Sequence, residues 1–483
     1  MPDQNTVFTL LRAIPKAKIF LHVGKLFSKV LPQIATTLAQ HSQERLTPTS
    51  ALELEVQLQA MLRSVGRAIV EWYFQSLEIE DSDDHPGAVF YEKRRYRKMG
   101  DKTRHDRIVT RFGNISLTRA RYRRGRSGKT IAPLEKALGI VNGFTPAAAD
   151  WTGRQLAAPG ASQQRVVDAI EENFGSKIGH EKLRGLSSHL ADSMEPHREE
   201  CQRGQLLDRI AQVRKRRKRP VLSVSRDGVS LGIQPFGFFE MAGVATISVM
   251  QDGKRVGTVY ITRTPEENQQ TLSRNLTSLL TTTLTACGKK LPTVVYVTDA
   301  GKIETSYWKN TLRHLRIAGQ RIKITRVVDY FHASQRLTTI AEALRVKAPA
   351  RVAWSERMRK LLKKPGGWGR VMRSIASMKK LHRYLVSKAD DAHKAERYLR
   401  RYRRFMNYAE LKKKGLPRGS GIVESACKQI IAERMKLSGM RWKRPGAQHI
   451  MTLRSILLSE TWNATYQRML REIESPDSHR VNP

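Results

Sequence analysis

One stretch of the chain, residues 221–334, restricts the fold more than any other, because its apolar pattern changes period in a fixed order. Val221–Gly232 reads as a strand, Gly243–Met250 as a second and Arg255–Thr262 as a third. Asp252-Gly253 lies between β-branched runs, and such a pair suits a two-residue hairpin turn because both positions tolerate positive φ. Thr264, Pro265 and Glu267 then predict a helix start, with Thr264 as N-cap, Pro265 in the first helical position and Glu267 completing a capping box. That helix is expected to reach about Cys287. Thr293–Thr298 is a short buried strand through Val294, Val295 and Val297, followed by a helix near Thr305–Ala318, a fifth strand at Ile322–Val328 and a helix from about His332. Three antiparallel strands, then helix, strand, helix, strand, helix predict an α/β class with a mixed five-stranded sheet and flanking helices.

Charge narrows the partner. Among 483 residues, Lys plus Arg number 87 and Asp plus Glu 44, a net charge of +43. Such a surplus attracts polyanions, makes nucleic acid the first expected partner and argues against a small-metabolite enzyme. Hydrophobic residues make up 40%, enough for a sizeable core. The three cysteines, Cys201, Cys287 and Cys427, have no CxxC spacing, which excludes a disulfide framework and a cysteine zinc ribbon as main readings. No window of about 18 apolar residues is present, and Ile19–Leu31 is broken by Lys25 and Lys29, so neither a membrane span nor a signal peptide is expected. The expected setting is cytoplasmic, on the nucleoid.

Texture divides the chain further. Residues 1–90 are helical, with Leu58, Leu62, Val65, Ile69 and Trp72 forming one apolar stripe. Residues 91–144 form a basic β element: Lys93 to Arg126 carries 14 Lys plus Arg against two acids. Asn114-Ile-Ser-Leu-Thr-Arg-Ala-Arg-Tyr122 alternates as a half-exposed strand does, and Tyr96 and Tyr122 among arginines suit either a phosphate-facing ribbon or a charge-protected sheet edge. In residues 145–213, Ser162 can cap a helix carrying Val166, Val167, Ile170 and Phe174, with Gly175 closing it. A second helix from about His180 makes a helix-turn-helix conceivable, with Lys182, Arg184, Ser187 and His189 near the groove-reading helix. The basic run Arg214, Lys215, Arg216, Arg217, Lys218, Arg219 reads, with Pro220, as a linker at a domain boundary, phosphate-contacting or merely solvated. Residues 335–417 interrupt the core as a basic helical insertion (24 Lys plus Arg against six acids in 335–415), and 418–483 complete it.

In a basic chain that acts on phosphodiesters, carboxylates at strand ends are the side chains to hunt, since magnesium prefers carboxylate, water and phosphate oxygens. Two such ions roughly 3.5–4 Å apart can activate the attacking oxygen and stabilise the leaving one. Asp227 follows Val221-Leu-Ser-Val-Ser-Arg226 and precedes Gly228; Asp299 follows Val294-Val-Tyr-Val-Thr298. The expected strand order sets the first and fourth strands side by side and brings these two acids together. Glu424, on the first turn of a helix opened by Gly419-Ser-Gly421, is the third acid, although an acid there also complements the helix dipole; Glu433 is its competitor. Asp329 either caps the helix behind it, with His332 on the first turn, or helps to organise DNA. Trp442 could stack on a displaced base or pack in the core, and Lys428 could contact phosphate or neutralise Glu424.

Asp227-Gly228, Val297-Thr-Asp299, Asp329-Tyr-Phe-His332, Gly419-Ser-Gly-Ile-Val-Glu424-Ser-Ala-Cys-Lys428 and Arg434-Met-Lys-Leu-Ser-Gly-Met-Arg441-Trp442 closely resemble bacterial insertion-sequence transposases of the Kra type, relatives of the Mutator-like group. The resemblance covers roughly residues 105–460 and is most specific in the last two motifs. It implies a ribonuclease-H-like core with a helical insertion, a metal-binding and catalytic triad of Asp227, Asp299 and Glu424, and two Mg2+ ions, with Mn2+ able to substitute. It also implies binding to double-stranded terminal inverted repeats and target DNA, with Asp329 and His332 matching the Asp/Cys-x-x-His signature and the chain acting as a homodimer or larger assembly. The mainly helical N-terminal region with its small basic β element is the expected DNA-binding region, and with no cysteine zinc cluster near the N-terminus the resemblance leaves its base-reading element unassigned. Lys182, Arg184, the 214–219 run, Lys428, Arg441 and Trp442 are the expected DNA contacts beside them. The rival expectations are an inactive DNA-binding descendant and a nuclease of the same fold acting on RNA. No GxGxxG or GxxxxGK[ST] occurs in a strand–helix context that would favour a nucleotide-binding enzyme.

Overall fold

The computed structural model describes residues 11–43, 47–81, 83–216, 219–235 and 238–474. Two compact units are present: residues up to His197 with those from Asn463 onward, and Arg198–Trp462.

The second unit is built on β1 (Val221–Ile233), β2 (Phe238–Gln251), β3 (Lys254–Arg263), α1 (Gln270–Ala286), β4 (Thr293–Thr298), α2 (Lys302–Asn310), β5 (Ile324–Val328) and α3 (Tyr330–Ala343). The sheet order is β5-β4-β1-β2-β3; β1, β2 and β3 are antiparallel neighbours, and β4 runs parallel to both β1 and β5. The mixed sheet with flanking helices expected from the sequence is therefore present. Alternate side chains bury both faces, as the two-residue strand period requires. Leu222, Val224, Val294 and Tyr296 pack with α1 and with Leu206, Ile210 and Val213. Val295, Val297 and Val327 pack on the other face. Each fully buried branched side chain contributes roughly 1.5–3 kcal/mol relative to exposure.

Residues beyond α3 form α4 (Ala348–Leu362), α5 (Gly367–His382), α6 (Val386–Arg401) and α7 (Tyr408–Lys413), then α8 (Gly421–Cys427) and α9 (Arg444–Leu458). The basic insertion is helical, as its composition predicts, but it is not a separate body. Its Trp354, Met358, Ile375, Leu399 and Tyr408 share one core with the Val295–Val327 face of the sheet.

Three local expectations fail for identifiable reasons. Thr264 does not cap a helix: its N–H donates to Gln448 Oε1 at 2.9 Å, and α1 starts only at Gln270, after Asn268 and Gln269 take positive φ. Gln269 turns inward to accept from the buried Arg226 guanidinium at 2.6 Å, while Glu266 accepts the N–H of Leu272 at 2.9 Å. A tertiary partner thus outweighs the local capping pattern. The helix expected to reach Ala318 ends at Asn310, where Thr311 leaves helical geometry at φ −125, and Ala318 and Gly319, at positive φ, then turn a short hairpin between Arg316–Ile317 and Gln320–Arg321. The 214–219 run does not begin a linker at Arg214. Arg214 and Lys215 end a helix, His180–Lys215, that crosses the boundary between units at His197 and Arg198; Arg217 and Lys218 lie outside the described residues.

In the first unit, helices Lys16–Gln43 and Pro48–Ser76 precede two small antiparallel sheets. Trp72 of the expected stripe stacks on His22, with ring centroids 4.0 Å apart, whereas Leu62 is exposed. Tyr96 and Tyr122 are not phosphate-facing. Both are buried with Val89, Tyr91, Ala120 and Ile131, and it is Arg94, Arg95 and Arg97 that face water. Ser162 caps the helix Gln163–Phe174 by accepting from Arg165 N, and Gly175 ends it at φ 69. The next helix is 36 residues long rather than a short recognition helix. Among the described residues no helix is long and apolar enough to cross a membrane.

Candidate acidic site

Parallel pairing fixes which residues of β1 and β4 can face each other. Val221 pairs with Thr293 and Val224 with Tyr296, a constant offset of 72 residues. Asp227 and Asp299 are separated by the same 72 residues, so the register, continued three residues past its last pair at Val224 and Tyr296, sets them opposite each other. Thr298 pairs with Val328 on the next strand, which continues the row to Asp329. Asp227 on β1 is thus followed along this row by Asp299 and Asp329, each the first residue past the end of its strand. Asp227 does not end its strand, as the sequence had implied; it lies near the middle of β1, opposite Val244 of β2. β4 stops at Thr298, and β1 continues past it.

The three aspartates then diverge in role. Asp227 Oδ1 accepts from the N–H of Gly228 at 2.7 Å, and Asp299 Oδ1 from the N–H of Gly301 at 2.8 Å. Each carboxylate keeps a second oxygen free of backbone donors. Asp329, with no exposed surface, is fully engaged. One oxygen accepts from the N–H groups of Phe331 and His332, capping α3; the other accepts from Ser420 N and, at 2.6 Å, from Ser420 Oγ. The capping role considered for Asp329 is what the structure displays, and a direct role on DNA is closed to so buried a group.

The Ser420 hydroxyl also lies 2.8 Å from Glu424 Oε1, so one proton serves two carboxylates. This bridge ties the Gly-Ser-Gly loop, and the first turn of α8 with Glu424, to the end of β5. His332 Nε2 is 3.6 Å from the same Glu424 oxygen. Burial raises the Asp227 carboxyl above its ordinary range; the charges of Asp299 and Glu424 push the same way, against the Gly228 N–H and His332. Asp227, Asp299, Glu424 and His332 therefore form one electrostatic neighbourhood. Glu433, the rival third acid, lies apart from it, and its charge acts on the buried Arg454.

Side chains given no role in the sequence reading complete the site. Cys427 Sγ is 3.9 Å from Asp227 Oδ2, and burial together with Asp227 and Glu424 pushes its thiol far up. Glu304, on the first turn of α2, is raised by burial and by Asp299 and Asp227; Arg226, wholly buried, stands 4.0 Å away. From the insertion, Tyr398 donates to Asp299 O at 2.6 Å, Tyr402 to Ala300 O at 3.2 Å and Tyr408 to Val328 O at 2.9 Å. These hydroxyls grip the backbone that presents the acids. Beyond α8 the helix widens into a π turn over Lys428–Ala432, and Arg454 donates to the carbonyls of Gln429 and Ile430.

None of Asp227, Asp299 and Glu424 is ion-paired with a lysine or arginine among the described residues, in a chain with 87 such cations. Nor are three His, Cys, Asp or Glu side chains of the described residues drawn close enough to form a ready cage. An oxygen-rich, uncompensated anionic cluster is nonetheless a donor set that fits a hard divalent cation better than a soft one.

The other expected contacts scatter. Trp442 is buried rather than open to a base: its Nε1 donates to Met435 O at 2.9 Å, and the Arg434 guanidinium covers its ring at 5.4 Å. Lys182 is turned inward, donating to Arg107 O at 2.7 Å over the ring of Phe144, and Ser187 is buried. Lys428 is exposed and makes no ion pair with Glu424, while Arg184, Arg441, Lys215 and Arg219 are exposed on their own segments. Arg214 donates to Lys290 O and Arg216 to Gln251 Oε1 at 3.3 Å.

Compared with known proteins, the chain matches no family model, and no curated protein matches it.

Proposed function

We propose that the chain is a DDE-type transposase with a ribonuclease-H-like core, acting by phosphoryl transfer on the terminal inverted repeats of its own insertion sequence. The observation that carries the reading is that Asp299 and Glu424, from distant parts of a +43 chain, both act electrostatically on Asp227, while no lysine or arginine of the described residues is ion-paired with any of the three. Leaving the half-buried Asp227 carboxylate without a lysine or arginine partner in mid-strand is costly, and it is intelligible where cations and a phosphodiester complete the site. The five quoted motifs and the sheet order support the same class.

On this reading Asp227, Asp299 and Glu424 would hold two Mg2+ ions, which when bound lower the pKa of attacking water and offset charge on the leaving oxygen. Asp227 and Asp299 offer the oxygens their Gly228 and Gly301 bonds leave free. Ser420 orients Glu424, and His332 Nε2 stands 3.6 Å from the same carboxylate. Basic segments take phosphates, and binding then weakens steeply with salt. Paired ends are cut together, which calls for a homodimer or larger assembly.

The test uses duplex DNA carrying the inverted repeats that flank the coding region. Wild type should cleave it with Mg2+ or Mn2+, and Asp227→Asn should lose at least about a hundredfold in rate, the scale of removing a group that stabilises transition-state charge. Unchanged cleavage by Asp227→Asn sinks the triad; preferential cleavage of duplex RNA transfers the same site to a ribonuclease.

A further inference from the structure

An open groove of about 570 Å3 borders the acidic site, and Lys254, Tyr330, Phe331, Lys363, Lys412 and Arg418 are among its walls. Four of these six are cations, and among the described residues none of the four is ion-paired; Asp252, at the β2–β3 turn, is the one acid in the lining. Lys363 Nζ sits 4.9 Å from the ring centre of Tyr330. Phe331 is 62% exposed, although a phenyl ring gains by leaving water.

Phe331 is exposed without being loosely held. Its N–H donates to the buried Asp329, and its ring lies beside Gly419, where an added Cβ would be 3.5 Å from the ring carbons. The next residue, His332, is the one 3.6 Å from Glu424. A rigid segment therefore joins the groove to the acidic cluster: an aromatic face on one side, the site of phosphoryl transfer on the other, and unpaired cations around the rim. A base inside a duplex offers no free face to a single ring. A base that has left the stack does, and stacking accepts any base.

We infer that this groove binds single-stranded DNA next to the phosphodiester under attack, with an unpaired base stacked on Phe331 and its phosphates on Lys254, Lys363, Lys412 and Arg418. The inference rests on the phosphoryl-transfer reading of the neighbouring acids and adds the strand state and the residue that selects it.

The experiment uses the full-length chain and a short oligothymidylate carrying one 2-aminopurine, whose emission falls when it stacks. Affinity is read from anisotropy and stacking from emission. Wild type should quench the probe; Phe331→Ala should lose the quenching and bind roughly 5- to 150-fold more weakly, the range that base stacking supplies, while Phe331→Trp restores both. Lys363→Ala and Lys412→Ala should each reduce the salt slope by about 0.7. If Phe331→Ala quenches and binds like wild type, the groove assignment falls. It falls alone if duplex cleavage still depends on Asp227. Quenching that requires Phe331 in a chain without divalent-ion-dependent cleavage upholds the groove and removes the transposase reading instead.

Discussion

Replacing Asp329 by asparagine tests how the acidic site is assembled, because every bond of this carboxylate is accounted for. Four donors converge on it: Phe331 N, His332 N, Ser420 N and Ser420 Oγ. Asparagine keeps one oxygen, so the α3 cap survives at a cost of a few tenths of a kcal/mol. Its amide NH2 then faces the N–H of Ser420, donor against donor. A buried N–H left without a partner costs about 1–3 kcal/mol. The charge-assisted bond from Ser420 Oγ is also lost, partly offset when the hydroxyl turns to accept from the amide and donates only to Glu424. The expected total is about 2–4 kcal/mol, which for a unit of this size lowers Tm by roughly 4–7 °C. Ser420→Ala, which keeps the N–H bond, should cost only about 1 kcal/mol. Thermal unfolding followed by circular dichroism, with duplex cleavage measured alongside, reads both effects. Cleavage should fall in Ser420→Ala, where Glu424 loses its hydroxyl tether, and less in Asp329→Asn, where the Ser420 hydroxyl still donates to Glu424. An Asp329→Asn chain as stable as wild type but inactive would falsify the structural account and return Asp329 to the DNA or the metal.

Other expectations follow from single contacts. Trp442→Ala should destabilise by about 3–5 kcal/mol, as large-to-small core changes do, while Trp442→Phe, losing mainly the bond to Met435 O, should cost about 1 kcal/mol; Trp442→Phe with normal stability but a loss of DNA affinity contradicts the core role. Tyr398→Phe should cost about 0.5–1.5 kcal/mol and lower kcat more than KM, since its hydroxyl holds Asp299 O; an unchanged kcat argues against the tether. Glu78 is buried, and burial raises its carboxyl above the ordinary range against the Ala120 N–H. Its protonated form therefore contributes stability that is lost as pH rises from the ordinary carboxylate range through the raised folded value. Glu78→Gln, whose side-chain oxygen can still accept from Ala120, should flatten that fall, and a denaturation series across pH 4–7 that is unaltered by the change rejects the assignment.

What the sequence determined by itself is what depends on local period and turn chemistry. The strands Val221–Ile233 and Thr293–Thr298, the Asp252-Gly253 turn, the Ser162 and Gly175 helix ends and the helical insertion were all legible because propensity and burial agree there. That the strands carrying Asp227 and preceding Asp299 are neighbours was legible too, from strand order; their 72-residue register was not, since only the folded sheet sets it. Tertiary structure alone decided where a distant partner outbids the local pattern. Gln269 abandons a regular helix start to serve Arg226, Lys182 turns from solvent to the Arg107 carbonyl, and Trp442 exchanges a base for Met435. The tyrosines that hold the acids' backbone lie some 80 to 100 residues away from it in the chain, and Ser420 reaches Asp329 across 91 residues. Contacts of that range leave no periodicity to read, because a hydrogen bond depends on where two groups meet in space and not on their spacing along the chain.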